Sequence, residues 1–270
     1  MDRPIGLLDS GVGGLTVANE LIRQLPKEQL IYIGDTLRCP YGPRTEDEVR
    51  QYTNELVDFL VSKNVKMVVV ACNTATAFTL EELKGRLNIP VIGVIQPGAR
   101  AAIKLTESNE VGIIGTEGTI NSQAYEQALR RINEQIKTYA LACTPFVPLV
   151  ESGQVEGKQV ERIVKETLEP LLDKANMDTL ILGCTHYPLL ESVIKQTLHR
   201  QVKVISSGEE TAREVSTILE HQNLLNQGKH NERHQFYATG DMESFQEIAH
   251  LIFQNSHLDE NDIDFENVRL

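Results

Sequence analysis

The sequence predicts an α/β fold with parallel sheets, built as two similar halves. Three observations predict it. Short apolar runs alternate with amphipathic segments along most of the chain. The runs are four to eight residues long, rich in β-formers and bounded by turn residues, as buried parallel strands are. The order of features in residues 4–95 recurs, at similar spacing, in residues 110–206.

The first strand set is expected at 4–9 (PIGLLD), 30–35 (LIYIGD), 66–72 (KMVVVAC) and 90–95 (PVIGVI). The second is expected at 110–115 (EVGIIG), 138–143 (TYALAC), 178–184 (DTLILGC) and 201–206 (QVKVIS), with a further strand at 235–240 (QFYATG). Between them, apolar residues fall at helical spacing. Leu15, Ala18, Leu21, Ile22 and Leu25 mark one face, and Val160, Ile163, Val164, Leu168 and Leu171 another. Thr45 and Glu48 form a capping-box pattern ahead of Val49, Tyr52, Leu56, Phe59 and Leu60. Pro188 suits the first turn of a helix carrying Leu189, Leu190, Val193 and Ile194.

The two sets match in layout more than in residue identity. In each, the second strand ends before a proline loop, the third ends in CNT or CTH, and the fourth (ending in QPGARAA or SSGEETA) opens a helix. This predicts two α/β domains related by an approximate two-fold. The helix at 209–222, the strand at 235–240 and the helix at 242–254 have no counterpart after the first set. Returning them to it gives a discontinuous first domain, 1–95 plus 208–270, and a second domain, 96–207. The acidic stretch from 255 onward reads as a loosely held tail.

Composition narrows the function classes. The 270 residues are 41% hydrophobic and 24% charged, enough for a packed core, and the net charge of −12 disfavours nucleic acid and anionic membrane partners. A small anionic substrate would need a locally positive pocket. The N-terminus lacks a signal-peptide pattern, and no run approaches the ~20 apolar residues of a membrane span. The expected location is the cytoplasm. Four cysteines without a CxxC read as free thiols.

Two of those cysteines share a setting. MVVVACNTA (67–75) and TLILGCTHY (179–187) each run from a strand to a small residue, a cysteine and a polar cluster. Ligands of parallel α/β sheets bind beyond the carboxyl ends of the strands, where Cys72 and Cys184 both lie. Two domains facing each other would place the thiols on opposite sides of one cleft. One thiolate and one thiol so placed can remove a proton from one face of a carbon and return another to the opposite face. The helices following each cysteine are expected to aim N-terminal amides at the sulfurs and at a substrate carboxylate. A cysteine on its own is more often a small core residue, and Cys39 and Cys143 keep that reading.

The segments DSGVGGLTV (9–17), YIGDTLRCPYGPR (32–44), VACNTAT (70–76), GVIQPGARAA (93–102), PFVPLVESG (145–153), LILGCTHYPLL (180–190) and SSGEETARE (206–214) resemble those of glutamate racemases, within the aspartate/glutamate racemase family. The resemblance covers nearly all of the chain before about residue 255. It implies two flavodoxin-like α/β/α domains with the active site between them, usually in a homodimer. It implies cofactor-independent, metal-free interconversion of L- and D-glutamate for cell-wall peptidoglycan synthesis. By resemblance, Cys72 takes the proton of D-glutamate and Cys184 that of L-glutamate. Asp9 assists Cys72, and Glu151 and His186 assist Cys184. Substrate contacts are implied for Asp9, Ser10, Tyr41, Gly42, Asn73, Thr74, Thr185 and His186. Read without the resemblance, Asp9 is equally a turn cap, His186 a structural histidine and Glu151 a solvated carboxylate; Arg38 and Arg100 read as solvated.

Other readings compete. GVGG (11–14) suggests a dinucleotide loop, but the third glycine of GxGxxG would fall on Thr16, and no GxxxxGK[ST] is present. A related aspartate or other amino-acid racemase keeps the two-cysteine plan. A cysteine hydrolase using Cys184 and His186 leaves Cys72 idle, and a pure binding protein leaves both thiols unexplained. A zinc site lacks a CxxC or HxxxH spacing.

Overall fold

A computed structural model describes residues 2–198, 201–228, 233–254 and 262–270. Among the described residues, ten strands form two all-parallel sheets. The strands are β1 (Ile5–Asp9), β2 (Leu30–Gly34), β3 (Met67–Val70), β4 (Val91–Gly93), β5 (Glu110–Gly115), β6 (Lys137–Ala142), β7 (Thr179–Gly183), β8 (Lys203–Ser206), β9 (His234–Ala238) and β10 (Ile263–Asn267). The larger sheet runs β10-β9-β2-β1-β3-β4 and the smaller β6-β5-β7-β8.

The shared order is the repeat made visible. In both sheets the second strand of the set flanks the first, and the third lies on its other side. The chain therefore leaves the first strand of each set in one direction and returns to its opposite edge. The crevice between first and third strands is the topological switch point where such sheets bind ligands. Register fixes what lines it. Leu8 pairs with Val70, so Asp9 and Ser10 emerge beside Cys72. Gly115 pairs with Gly183, so Thr116 emerges beside Cys184.

Alternation along each strand divides the apolar residues between the two faces of its sheet. Leu7, Met67 and Val69 pack into one core and Leu8, Val68 and Val70 into another. Leu180 and Leu182 face a third core and Ile181 a fourth. Strands β1, β2, β3 and β7 are buried throughout, which is why they lack polar alternation. The capping box at Thr45 forms in both directions.

Three expectations need correction. The stretch after 255 was expected to be a loose tail. Residues 255–261 lie outside the described residues, but Ile263–Asn267 forms β10, hydrogen-bonded in parallel to β9. Ile263 and Phe265 pack on the core, and these two apolar residues outweigh the acidic composition around them. The helix expected at Pro188 opens with a short 3₁₀ turn, Tyr187–Leu190, before the α-helix Glu191–Leu198. Arg38 is only partly exposed and is ion-paired with Asp35 and Glu55, while Arg100 pairs with Glu214 at the surface. Among the described residues, no helix is long and apolar enough to cross a membrane.

Candidate active site

Cys72 caps the helix Asn73–Arg86. Its extended backbone turns the chain from β3 into the helix, and the Ala75 N–H donates to its sulfur at 3.4 Å. The thiol lies 3.6 Å from Ser10 Oγ. Burial, reinforced by the charge of Asp9, pushes this thiol up to about 12. The amide at the helix N-terminus opposes that shift without cancelling it.

Cys184 is held differently. The sequence suggests a helix N-terminus behind each cysteine, but only Cys72 has one. The chain after Cys184 makes a turn, and the sulfur faces His186 Nδ1 at 3.7 Å. The other ring nitrogen, Nε2, lies 2.6 Å from Glu151 Oε1. Burial alone would disfavour the imidazolium. Hydrogen bonds with Cys184, Cys39 and Glu151 outweigh it and raise His186 well above its ordinary range. Burial likewise works against the Glu151 carboxylate, and the bonds from His186, Cys39 and the Val12 N–H, together with the His186 charge, outweigh it and lower Glu151. A protonated ring therefore points a donor at Cys184.

Both sulfurs line one narrow cavity, with Ser10, Tyr41, Gly42, Asn73, Thr74, Thr116, Thr185 and His186. Its free volume is about 10 Å³, room for about one water molecule. Hydrogen bonds across the cleft hold it shut. Thr74 Oγ1 meets Thr116 Oγ1 at 2.8 Å, the Gly118 N–H donates to the Gly42 carbonyl at 2.9 Å, and Tyr125 OH donates to Asn73 Oδ1 at 2.7 Å. An amino acid needs these walls to part. Asn73 Nδ2 is buried without a partner among the described residues, which leaves a donor for a substrate oxygen.

Asp9 stands behind the wall. It is fully buried and does not line the cavity. Its Oδ1 accepts from the Gly11 N–H at 2.9 Å and its Oδ2 from Thr185 Oγ1 at 3.1 Å. Burial raises its carboxyl from 3.8 to about 6, against the opposing charge of His186. Glu151 also lies outside the lining and reaches it through His186. Seven of the sequence-derived substrate contacts thus line the cavity, and Asp9 meets it through neighbours.

The GVGG loop is a packing device. A Cβ on Gly13 would lie 2.4 Å from His186 Nδ1 and 2.5 Å from Thr185 Oγ1; one on Gly11 would lie 2.6 Å from Glu151 Oε1. The glycines let the β1 loop press against side chains of the other half. Sequence reasoning missed Cys39, whose thiol donates to Glu151 Oε1 at 3.4 Å. Its signal was position: it lies in the proline loop after β2, a segment that carries the resemblance.

A larger concavity, about 830 Å³, lies elsewhere, among Thr16, Glu20, Pro188, Glu209 and Leu251. It contains neither cysteine, and Glu20, Glu191, Glu209 and Glu210 on its wall are tied to neighbouring basic residues. Chemistry therefore marks the small cavity as the reactive one.

A thiol, an imidazole and a carboxylate in line can serve a nucleophile or a base. A second thiol in the same cavity suits proton transfer at both faces of one carbon. Comparison with known proteins agrees. Residues 5–215 match the family described as Asp/Glu/Hydantoin racemase. The chain belongs to this family. Among relatives of this racemase-family chain, a glutamate racemase from Oceanobacillus iheyensis is 63% identical, over 95% of this chain and 94% of the relative. The crystal structure of a glutamate racemase isoform from Bacillus anthracis superposes with a TM-score of 0.93 at 50% identity, covering 99% and 98% of the two chains. A glutamate racemase from Francisella tularensis in complex with D-glutamate superposes with a TM-score of 0.90 at 36% identity, covering 99% and 98%.

Proposed function

We propose that this protein is an isomerase that interconverts L- and D-glutamate without a cofactor, by proton transfer between two cysteines. The observation that carries it is the presence of Cys72 and Cys184 on one cavity at equivalent positions of two like-ordered sheets. Relatives named glutamate racemase, 63%, 59% and 58% identical, support glutamate as the substrate.

From the L-enantiomer, the Cys184 thiolate takes the Cα proton and the bonding pair remains on carbon, spread into the carboxylate. The Cys72 thiol then delivers a proton to the opposite face. The reverse reaction exchanges the roles. His186, held by Glu151, orients and donates to Cys184. Asp9 sets the charge behind Cys72. Ser10, Tyr41, Gly42, Asn73, Thr74 and Thr185 supply polar contacts to the substrate; Asn73 Nδ2 and the hydroxyls suit its carboxylates. The product supplies D-glutamate to peptidoglycan synthesis, in the cytoplasm.

The two-sheet layout supports the division into 1–95 plus 208–270 and 96–207, and the family resemblance supports a homodimer. Light scattering of the purified chain tests the latter, with a mass of one chain excluding it.

Incubation with L-glutamate in D2O, without added cofactor, tests the reaction. The expected result is loss of optical activity with deuterium appearing at Cα. Racemisation with retained Cα protium would exclude proton exchange, and no racemisation would exclude the activity.

A further inference from the structure

Beside the cavity three side chains from separate segments converge, of which His186 lines the cavity while Cys39 and Glu151 lie behind it. Cys39 comes from the loop after β2, Glu151 from the end of the helix Phe146–Glu151, and His186 from the turn after β7. One ligand atom from each lies within 4.8 Å of the others. Cys39 Sγ is 3.4 Å from Glu151 Oε1, and His186 Nε2 is 2.6 Å from the same oxygen. Ligand atoms around a tetrahedral zinc ion, with bonds of about 2.0–2.3 Å, stand roughly 3.3–3.6 Å apart. The sulfur–oxygen pair already has that separation. The nitrogen–oxygen pair is closed on a proton and would open by about 0.7 Å around a metal.

We propose that Cys39, Glu151 and His186 form an inhibitory site for a thiophilic divalent cation of the zinc type. The ligands are Cys39 Sγ, a Glu151 oxygen and His186 Nε2, with the fourth position left to solvent. The donor set is mixed N, O and S, which suits zinc over magnesium or calcium. Access is direct: Glu151 is 28% exposed and Cys39 half-buried, so an ion reaches the site without crossing the closed cavity. Gly11 leaves the space clear, since a Cβ there would lie 2.6 Å from Glu151 Oε1 and 2.8 Å from Cys39 Sγ.

Binding displaces two protons, the thiol proton of Cys39 and the one held between His186 Nε2 and Glu151. No oxidant or reductant is involved. The metal takes the nitrogen and carboxylate that orient His186 toward Cys184, so occupancy stops turnover. This consequence rests on the racemase reading; the site itself does not. Motif spacing gave no sign of it, because its ligands lie at positions 39, 151 and 186 and meet only in the folded chain.

The test uses Co²⁺ as an optical probe and Zn²⁺ as the inhibitor, on the full chain and on Cys39→Ser. Serine keeps a hydroxyl donor toward Glu151 in place of the Cys39 thiol, so the variant should still racemise glutamate, and its own metal-free rate is the reference for Zn²⁺. In the unaltered chain, one equivalent of Co²⁺ should give a near-ultraviolet thiolate charge-transfer band, which Zn²⁺ abolishes. Zn²⁺ should inhibit racemisation and a chelator should restore it. Cys39→Ser should lose the band and resist Zn²⁺ by at least about a hundredfold in concentration. Absence of the band in the unaltered chain overturns the site. So does a band, or a Zn²⁺ sensitivity, unchanged in Cys39→Ser, which would assign the ligand to Cys72 or Cys184. A Cys39-dependent band in a chain that does not racemise glutamate removes the racemase reading and with it the inhibition, leaving the cation site.

Discussion

Asp9, at the end of β1, accepts a hydrogen bond from Thr185 Oγ1 at 3.1 Å, 176 positions along the chain on the turn after β7. This single contact ties the charge behind Cys72 to the loop that carries Cys184. Replacing Asp9 by Asn keeps the shape and removes the charge. Loss of about 10–100-fold in kcat/KM is expected, by analogy with general-base support. The loss must be equal from either enantiomer, because mirror-image substrates have equal free energies and fix the equilibrium constant at one. Polarimetry from each side measures it; an undiminished rate would remove Asp9 from the mechanism.

The same carboxyl makes a stability prediction. Its folded value, about 6, exceeds its ordinary 3.8. Between those values the folded chain holds a proton that the unfolded chain has lost, so stability falls as pH rises through the window. Above about pH 6 the burial penalty is complete, on the order of 3 kcal/mol. Asp9→Asn should therefore be more stable than the unaltered chain at pH 8 by about 1–3 kcal/mol, and equal to it near pH 3.5. Urea melts at several pH values test this, and a variant destabilised at pH 8 would contradict it.

Either cysteine should be indispensable. Alanine at Cys72 or at Cys184 should lower racemisation by about 10³-fold or more, since each thiol serves one face of the carbon. Chiral chromatography gives the rates. Near-normal turnover by both single variants would end the two-base account.

Gly13→Ala should disable the site through geometry alone. The added carbon would meet His186 Nδ1 at 2.4 Å and Thr185 Oγ1 at 2.5 Å, both on buried residues with no room to retreat. Displacement of His186 by about 1 Å should reduce kcat by about 10²-fold. Circular dichroism should show a folded chain; full activity would mean that the loop relaxes.

Away from the site, Lys66 and Glu28 form a buried ion pair at 2.5 Å, with side-chain exposures of 0% and 2%. Lys66→Met strands the Glu28 carboxylate in the interior and should cost about 3–5 kcal/mol of stability. The kcat of the folded fraction should be unchanged. A shift below 1 kcal/mol in urea titration would show that Glu28 relaxes to solvent.

The strands were legible because their burial is complete. MVVV at 67–70 and LIL at 180–182 can hide only in a parallel sheet covered on both faces. The capping box at Thr45 and Glu48 was legible because its bonds are local. Strand β10 was not, because two apolar residues in an acidic stretch carry too weak a period. Glu151 and His186 entered by family resemblance, since neither has a local pattern that distinguishes it from a surface carboxylate or a core histidine.

By itself the sequence determined the alternation of strands and helices, the doubled layout and the placement of two cysteines at strand ends, all of which follow from local propensity and burial. Only the tertiary structure decided that Cys72 has a helix terminus while Cys184 has an imidazole, that Asp9 reaches across to Thr185, and that Cys39 meets Glu151 and His186. The contacts of Asp9 with Thr185 and of Cys39 with Glu151 join residues more than a hundred positions apart. Periodicity within one segment carries no information about them; packing of one sheet's loops against the other's creates them.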